Sequence, residues 1–271
     1  MVDLQNIGVL GCGNMGGALV RSLVSSGTAV PKHIYVYDTF AGAMDSLKKE
    51  LGIQTVVHAH DLLDHCDVVI LAVKPQIFHH IAPGLHPKSG PKERVVLSVM
   101  AGVTSASIRT HFPDDYQIVR VMPNLPLSVG EGATAIEIDG HSEATILVAE
   151  HIFKAAGKTV RVTGYQMDAV TGLSGSGPAY VFEFLEGLIL AGVKAGLARE
   201  VATSLVLQTV KGALRLLDSG KESPAQWSAK VCSPGGTTIH GLHVLENAGF
   251  KGILMAAVEA AVGRSKELSA K

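Results

Sequence analysis

The sequence predicts an α/β fold: a doubly wound parallel sheet, followed by a domain made of helices alone. Three observations carry that prediction. Short β-branched runs alternate with helix-like segments through the first half of the chain. A glycine triplet, Gly11, Gly13 and Gly16, stands where the first strand should turn into a helix. After Tyr165 the strand signals stop.

The totals suit such a fold. The chain has 271 residues, 47% hydrophobic and 17% charged, enough apolar matter for one large core or two modest ones. A formal net charge of −1, with no basic–aromatic patch, gives no electrostatic case for a nucleic acid or an anionic membrane partner. Cys12, Cys66 and Cys232 are scattered and odd in number, which argues against a disulfide framework or a zinc ribbon and for a reducing compartment. No continuous stretch reaches the ~20 apolar residues of a membrane span. The first strand begins too early to leave room for a presequence, so the expected location is cytoplasmic.

Taken in order, strands are expected over 7–11, 33–37, 54–57, 68–73, 94–99 and 117–121. Runs such as V-V-I-L-A-V suit strands buried on both faces. Helices are expected between them, over 17–25, 41–51, 61–65, 77–82 and 105–111. Alternation in residues 131–138 marks another strand, then a helix over 142–156 and a last strand over 158–162. The domain boundary is placed between Thr163 and Gly164, giving domains 1–163 and 164–271. Helices are expected over 166–172, 179–195, 199–219, 225–231, 238–248 and 251–268. Gly187 and Gly192 inside a helix each cost ~1 kcal/mol relative to alanine, tolerable where another helix packs closely. Together with the Ala, Leu and Val of these helices, they point to a subunit interface.

In a parallel sheet, ligands bind beyond the carboxyl ends of the strands. After the first strand, Gly11 allows a tight turn, Gly13 lets backbone approach a pyrophosphate, and Gly16 lets helix and strand pack closely. Cys12 lies within this loop, and the amides around Asn14 and Met15 open the helix toward the phosphates. Asp38 follows the second strand, 22 positions beyond Gly16. It suits an acceptor for the adenosine ribose hydroxyls that repels a 2′-phosphate, favouring NADH over NADPH; a turn aspartate is the plainer alternative. Ala72, Val73, Lys74 and Pro75 follow the fourth strand, where Lys74 fits either the cofactor cleft or a solvated strand end. Met100, Ala101 and Gly102 follow the fifth, small enough in part for a flat nicotinamide to approach. Asn124 carries an amide to the same rim after the sixth.

Two stretches of the helical half carry chemistry. One is T-G-L-S-G-S-G-P-A-Y, residues 171–180. The other is Ser233, Pro234, Gly235, Gly236, Thr237 and Thr238, a glycine turn that opens a helix. Free N–H groups at that helix start form a carboxylate site, and Thr238 adds a hydroxyl. The twelve histidines show no register that implies a metal, and none is expected.

On these motifs the chain resembles the pyrroline-5-carboxylate reductases, which perform the last step of proline synthesis. G-C-G-N-M-G, A-V-K-P, A-G-V, M-P-N, T-G-L-S-G-S-G-P-A-Y and S-P-G-G-T-T match in order and spacing over nearly the whole chain. The resemblance implies a Rossmann domain, then a helical domain that interlocks with a partner's to form dimers, commonly assembled into decamers, with NADPH or NADH as cofactor. It implies that residues 11–16, 72–75 and 100–102 lie along the cofactor. It implies that Ser233, Gly235, Gly236, Thr237 and Thr238 hold the substrate carboxylate, with Thr238 near the ring nitrogen; the expected catalytic role of Thr238 is to hydrogen-bond that nitrogen or to relay a proton through water. Family members that use NADP tend to carry small polar or basic residues where this chain has Asp38, and often Asn near Ala59. The departures favour NADH.

Two other readings stand beside it. A β-hydroxyacid dehydrogenase-like enzyme would need a proton-transfer lysine on the helix after the S-G segment, which here has none until Lys194. A non-catalytic NAD-binding sensor would not need a second polar glycine loop.

Overall fold

The computed structural model describes residues 6–90 and 94–269. Its eight strands are β1 (Ile7–Leu10), β2 (Ile34–Tyr37), β3 (Gln54–Thr55), β4 (Val68–Leu71), β5 (Arg94–Ser98), β6 (Tyr116–Met122), β7 (Gly132–Glu137) and β8 (Gly157–Val162). The interleaved helices are α1 (Asn14–Ser25), α2 (Ala41–Leu51), α3 (Asp61–His65), α4 (Pro75–Ile81), α5 (Ser105–Arg109) and α6 (Glu143–Lys154). All the strands form one sheet in the order β3-β2-β1-β4-β5-β6-β7-β8. The order reverses between β1 and β4, which opens a ligand crevice at their carboxyl ends.

The sheet is buried on both faces because its strands are apolar at odd and even positions alike. Val9, Val68 and Ile70 point into a core with Leu19, Leu23 and Phe153 of α1 and α6. Their neighbours Leu10, Val69 and Leu71 point into a second core with Leu62, Phe78 and Ile108 of α3, α4 and α5. A two-residue period thus sends alternate side chains of one strand into different layers.

The sheet is mostly parallel, with one reversal. β1 to β6 run parallel, but β7 pairs antiparallel with β6, Val121 opposite Ile136. Only residues 123–131 separate these strands, and they are spent on a short 3-10 turn, Leu125–Val129. That is too short for the ~12-residue crossover a parallel return needs. α6 then supplies a true crossover, and β8 lies parallel to β7.

The chain divides into two compact units, one running through Ser176 and resuming at Ala260, the other Gly177–Glu259. The first unit ends its initial run with α7 (Met167–Val170) and a π turn, Thr171–Gly175. The second holds α8 (Gly177–Lys194), α9 (Arg199–Asp218), α10 (Pro224–Val231), α11 (Thr237–Asn247) and the start of α12 (Phe250–Ser269). Its helices leave large apolar side chains in the open, Phe182, Leu190, Leu205, Leu214 and Met255 among them, while Ile189 and Ala202 are its buried apolar residues. The helical run Gly164–Lys194 is long and apolar enough, by length and composition, to cross a membrane. The sequence expectation missed it because glycines and serines interrupt its apolar residues.

Candidate active site

The first site is built by the turn from β1 into α1. Gly11 has φ +104°, and its N–H donates to the Tyr37 carbonyl at 2.8 Å. A Cβ at Gly11 would come within 2.6 Å of the Ala72 carbonyl oxygen, and one at Gly16 would overlap the carbonyl of Gly11. Gly11 and Gly16 are therefore required by backbone packing between β1, α1 and the end of β4. Gly13 differs: nothing lies within 4 Å of where its Cβ would be. It opens α1 as a cap with no side-chain hydrogen bond, so the first-turn amides are left for a ligand. An open approach over uncapped amides fits a diphosphate.

Asp38 fixes this loop. Its Oδ2 accepts from the Cys12 N–H at 2.7 Å and its Oδ1 from the Phe40 N–H at 2.9 Å. Each oxygen keeps a lone pair for a ribose hydroxyl. Burial, and then the nearby Asp38 carboxylate, push the Cys12 thiol up to about 12.

A cavity of about 300 Å³ brings together Gly11, Gly13, Asp38, Ala72, Val73 and Lys74. Tyr37, Thr39, Ile77 and Ile81 also line it and were not foreseen. Their signal was available: two flank Asp38 at the β2 carboxyl end, and two are an i, i+4 pair on the helix after β4. Cys12, Asn14, Met15, Gly16 and Pro75 frame this cavity rather than line it; Pro75 begins α4.

Met100 is buried and Ala101 and Gly102 are half-buried after β5. Gly102 has φ +72°, and its Cβ would fall 2.8 Å from Cβ of Leu268, near the end of α12. Asn124 is buried, with both ends of its amide engaged. Nδ2 donates to the Ser174 carbonyl at 3.1 Å, and Oδ1 accepts from the Ala133 N–H at 2.9 Å.

The second glycine turn lies in the second unit. The Gly236 N–H donates to the Ser233 carbonyl at 3.0 Å, and Gly235 has φ +67°. Gly236 caps α11 with no side-chain hydrogen bond, again leaving first-turn amides free. Thr237 and Thr238 occupy that first turn, and among the described residues neither hydroxyl has a hydrogen-bond partner. Among the described residues no three His, Cys, Asp or Glu side chains form a metal-binding group.

A pyrroline-5-carboxylate reductase of Synechocystis is 41% identical to the chain over 266 residues, covering 98% of each. The chain belongs to the pyrroline-5-carboxylate reductase family. As a family member, its residues 165–268 match the profile described as pyrroline-5-carboxylate reductase dimerisation, and 6–102 match that of NADP oxidoreductase, coenzyme F420-dependent. A Methanosarcina acetivorans reductase is 38% identical and covers both chains completely. Among solved structures, a Plasmodium falciparum pyrroline carboxylate reductase with NADP bound superposes with a TM-score of 0.87 at 32% identity, covering 99% of both chains.

Proposed function

We propose that the chain reduces 1-pyrroline-5-carboxylate to L-proline with hydride from NADH or NADPH. The observation that carries this reading is the pair of glycine-built helix starts whose first-turn amides no side chain satisfies. One opens over Gly13 and suits a diphosphate; the other, at Gly236, suits a single carboxylate.

A bound nicotinamide would supply the hydride that forms a C–H bond at the imine carbon of the protonated ring as the C=N π pair moves onto nitrogen. The oxidised dinucleotide and the secondary amine of proline are the products. The protein's contribution is to hold two carbons in line and neutralise the carboxylate, which is positioning catalysis. The amides after Gly236, with Ser233, Gly235 and Thr237, bind the carboxylate. Thr238 hydrogen-bonds the ring nitrogen and holds its proton. The amides of residues 13–16 take the pyrophosphate, Asp38 the adenosine ribose, and Ala72, Val73, Lys74 and Pro75 the adjoining wall. Met100, Ala101 and Gly102 face the nicotinamide.

Asp38 supports NADH over NADPH, because a 2′-phosphate would meet a carboxylate already fixed by two backbone N–H groups. A dimerisation segment makes the chain a homo-oligomer, with the helical domain, residues 164–271, as the interface and the decamer as the proposed larger assembly. Three unpaired cysteines support the cytoplasm as its location. Neither a nucleic acid nor a membrane is a proposed partner; a second copy is the proposed cover for the apolar helices.

The test is a steady-state assay with the cyclic imine against NADH and NADPH, run beside Thr238→Val. Turnover by the parent enzyme is expected. The variant should lose about 10- to 100-fold in kcat while still binding NADH. Absence of imine reduction would overturn the reading; unchanged turnover in the variant would overturn the role of Thr238.

A further inference from the structure

The stretch T-G-L-S-G-S-G adopts an unusual backbone. Residues Thr171–Gly175 form a π turn, closed by the Ser176 N–H donating to the Thr171 carbonyl at 2.9 Å. Widening a helix by one residue per turn breaks the ordinary i to i+4 ladder, and such turns recur at functional sites. The Thr171 hydroxyl donates to the Met167 carbonyl at 2.9 Å and the Ser174 hydroxyl to that of Val170 at 3.1 Å. Both hydroxyls are thus used inside the helix.

What holds the turn from outside is Asn124. A Cβ at Gly175 would lie 2.7 Å from Cε of Met122, the last residue of β6, so the turn sits against the carboxyl end of that strand. This is the edge at which a parallel sheet receives its ligand. Two residues on, the buried Asn124 amide reaches the turn through the Ser174 carbonyl and β7 through the Ala133 N–H. One side chain thereby fixes the distance between the sheet edge and the π turn. Both of its polar atoms are spent doing so.

We propose that Asn124 is a positioning residue, which acts on hydride transfer by holding the π turn Thr171–Gly175 against the carboxyl edge of the sheet rather than by touching the cofactor. The proposal rests on the reductase reading for its catalytic half. Asparagine is demanded because the two groups it bridges are of opposite kind, a carbonyl and an N–H. Aspartate keeps the acceptor for Ala133 but turns an oxygen toward the Ser174 carbonyl. Asn124→Asp therefore releases the turn and leaves the β7 contact in place.

The experiment measures Asn124→Asp and Asn124→Ala in the full chain by three readouts. The first is NADH affinity by fluorescence titration, expected within about twofold of the parent. The second is kcat with NADH and with its 4-deuterated form. A fall of about tenfold or more and a larger isotope effect are expected, since a displaced wall misaligns the reacting carbons. The defect of Asn124→Asp should shrink between about pH 8 and about pH 6, because a carboxyl facing a carbonyl in a buried site protonates readily and regains a donor. Asn124→Ala should show no such recovery. The third is amide hydrogen exchange over residues 171–176, expected to speed up in both variants.

Loss of NADH affinity with kcat retained would overturn the proposal in favour of direct contact. Parent-like kcat and exchange in Asn124→Asp would overturn it outright. If the parent enzyme itself fails to reduce the imine, the reductase reading falls alone; unchanged exchange over 171–176 would then still overturn the clamp, and faster exchange would support it.

Discussion

At the scale of single residues, the first site turns on Asp38. Its two oxygens are pinned by the amides of Cys12 and Phe40, so the carboxylate cannot swing away from a ligand. On the proposed NADH reading the consequence for selectivity is electrostatic: a 2′-phosphate beside this carboxylate would be repelled, whereas ribose hydroxyls could donate to it. Asp38→Ser should raise the ratio of kcat/KM for NADPH over NADH by at least about tenfold, the discrimination worth ~1.4 kcal/mol. Paired steady-state assays check it, and an unchanged ratio would remove Asp38 from cofactor choice. The position of Asp38 was legible in the sequence, because a strand end at fixed distance from the glycine loop is a matter of spacing. Its double engagement was not, since it depends on how the following turn folds back. Asn124 shows the same limit more sharply. Its partner Ser174 is fifty positions away, and no local pattern announces a hydrogen bond of that reach.

At the scale of elements, all eight strands were legible, most from short β-branched runs and β7 from hydrophobic alternation, but the direction of β7 was not. Periodicity is blind to direction, and only the shortness of residues 123–131 forces the reversal. The π turn was equally hidden, because a hydrogen-bond register leaves no mark on composition. The end of the sheet also carries an ion network that spacing alone does not disclose. Glu150 of α6 is buried and meets the Arg161 guanidinium at 2.6 Å and the Lys154 ammonium at 2.9 Å; Arg161 also pairs with Glu143. The hydrogen bond from Arg161, and then that from Lys154, holds the Glu150 carboxyl below the usual carboxylate range. A depressed acid stabilises the fold above its unfolded pKa, and that contribution fades as the pH falls through the lower folded value. Arg161→Leu should therefore melt at lower temperature than the parent at neutral pH. The gap should narrow as the pH drops below about 4, where carboxylates protonate. Thermal denaturation across that range checks it; a pH-independent gap would assign the loss to packing alone.

At the scale of the whole molecule, the imbalance between the halves dominates. The first unit has two cores around one sheet, while Phe182, Leu190, Leu205 and Met255 of the second stand exposed. Apolar surface of that extent, within a segment matching a dimerisation family, is the face the proposed homo-oligomer would cover. The melting temperature should rise with protein concentration, as linkage to association requires. Phe182→Asp should shift the mass measured by light scattering toward one chain and remove that dependence. A parent protein of single-chain mass would overturn the dimer.

The contact between Gly102 and Leu268 has a bearing on biogenesis. Gly102 sits just after the fifth strand, yet its covering residue is translated more than 160 codons later. Ser265, on the same late segment, donates from its hydroxyl to Asp168 at 2.6 Å. On the ribosome, the first unit therefore waits through the synthesis of the whole second unit, Gly177–Glu259, before its own last contacts can form.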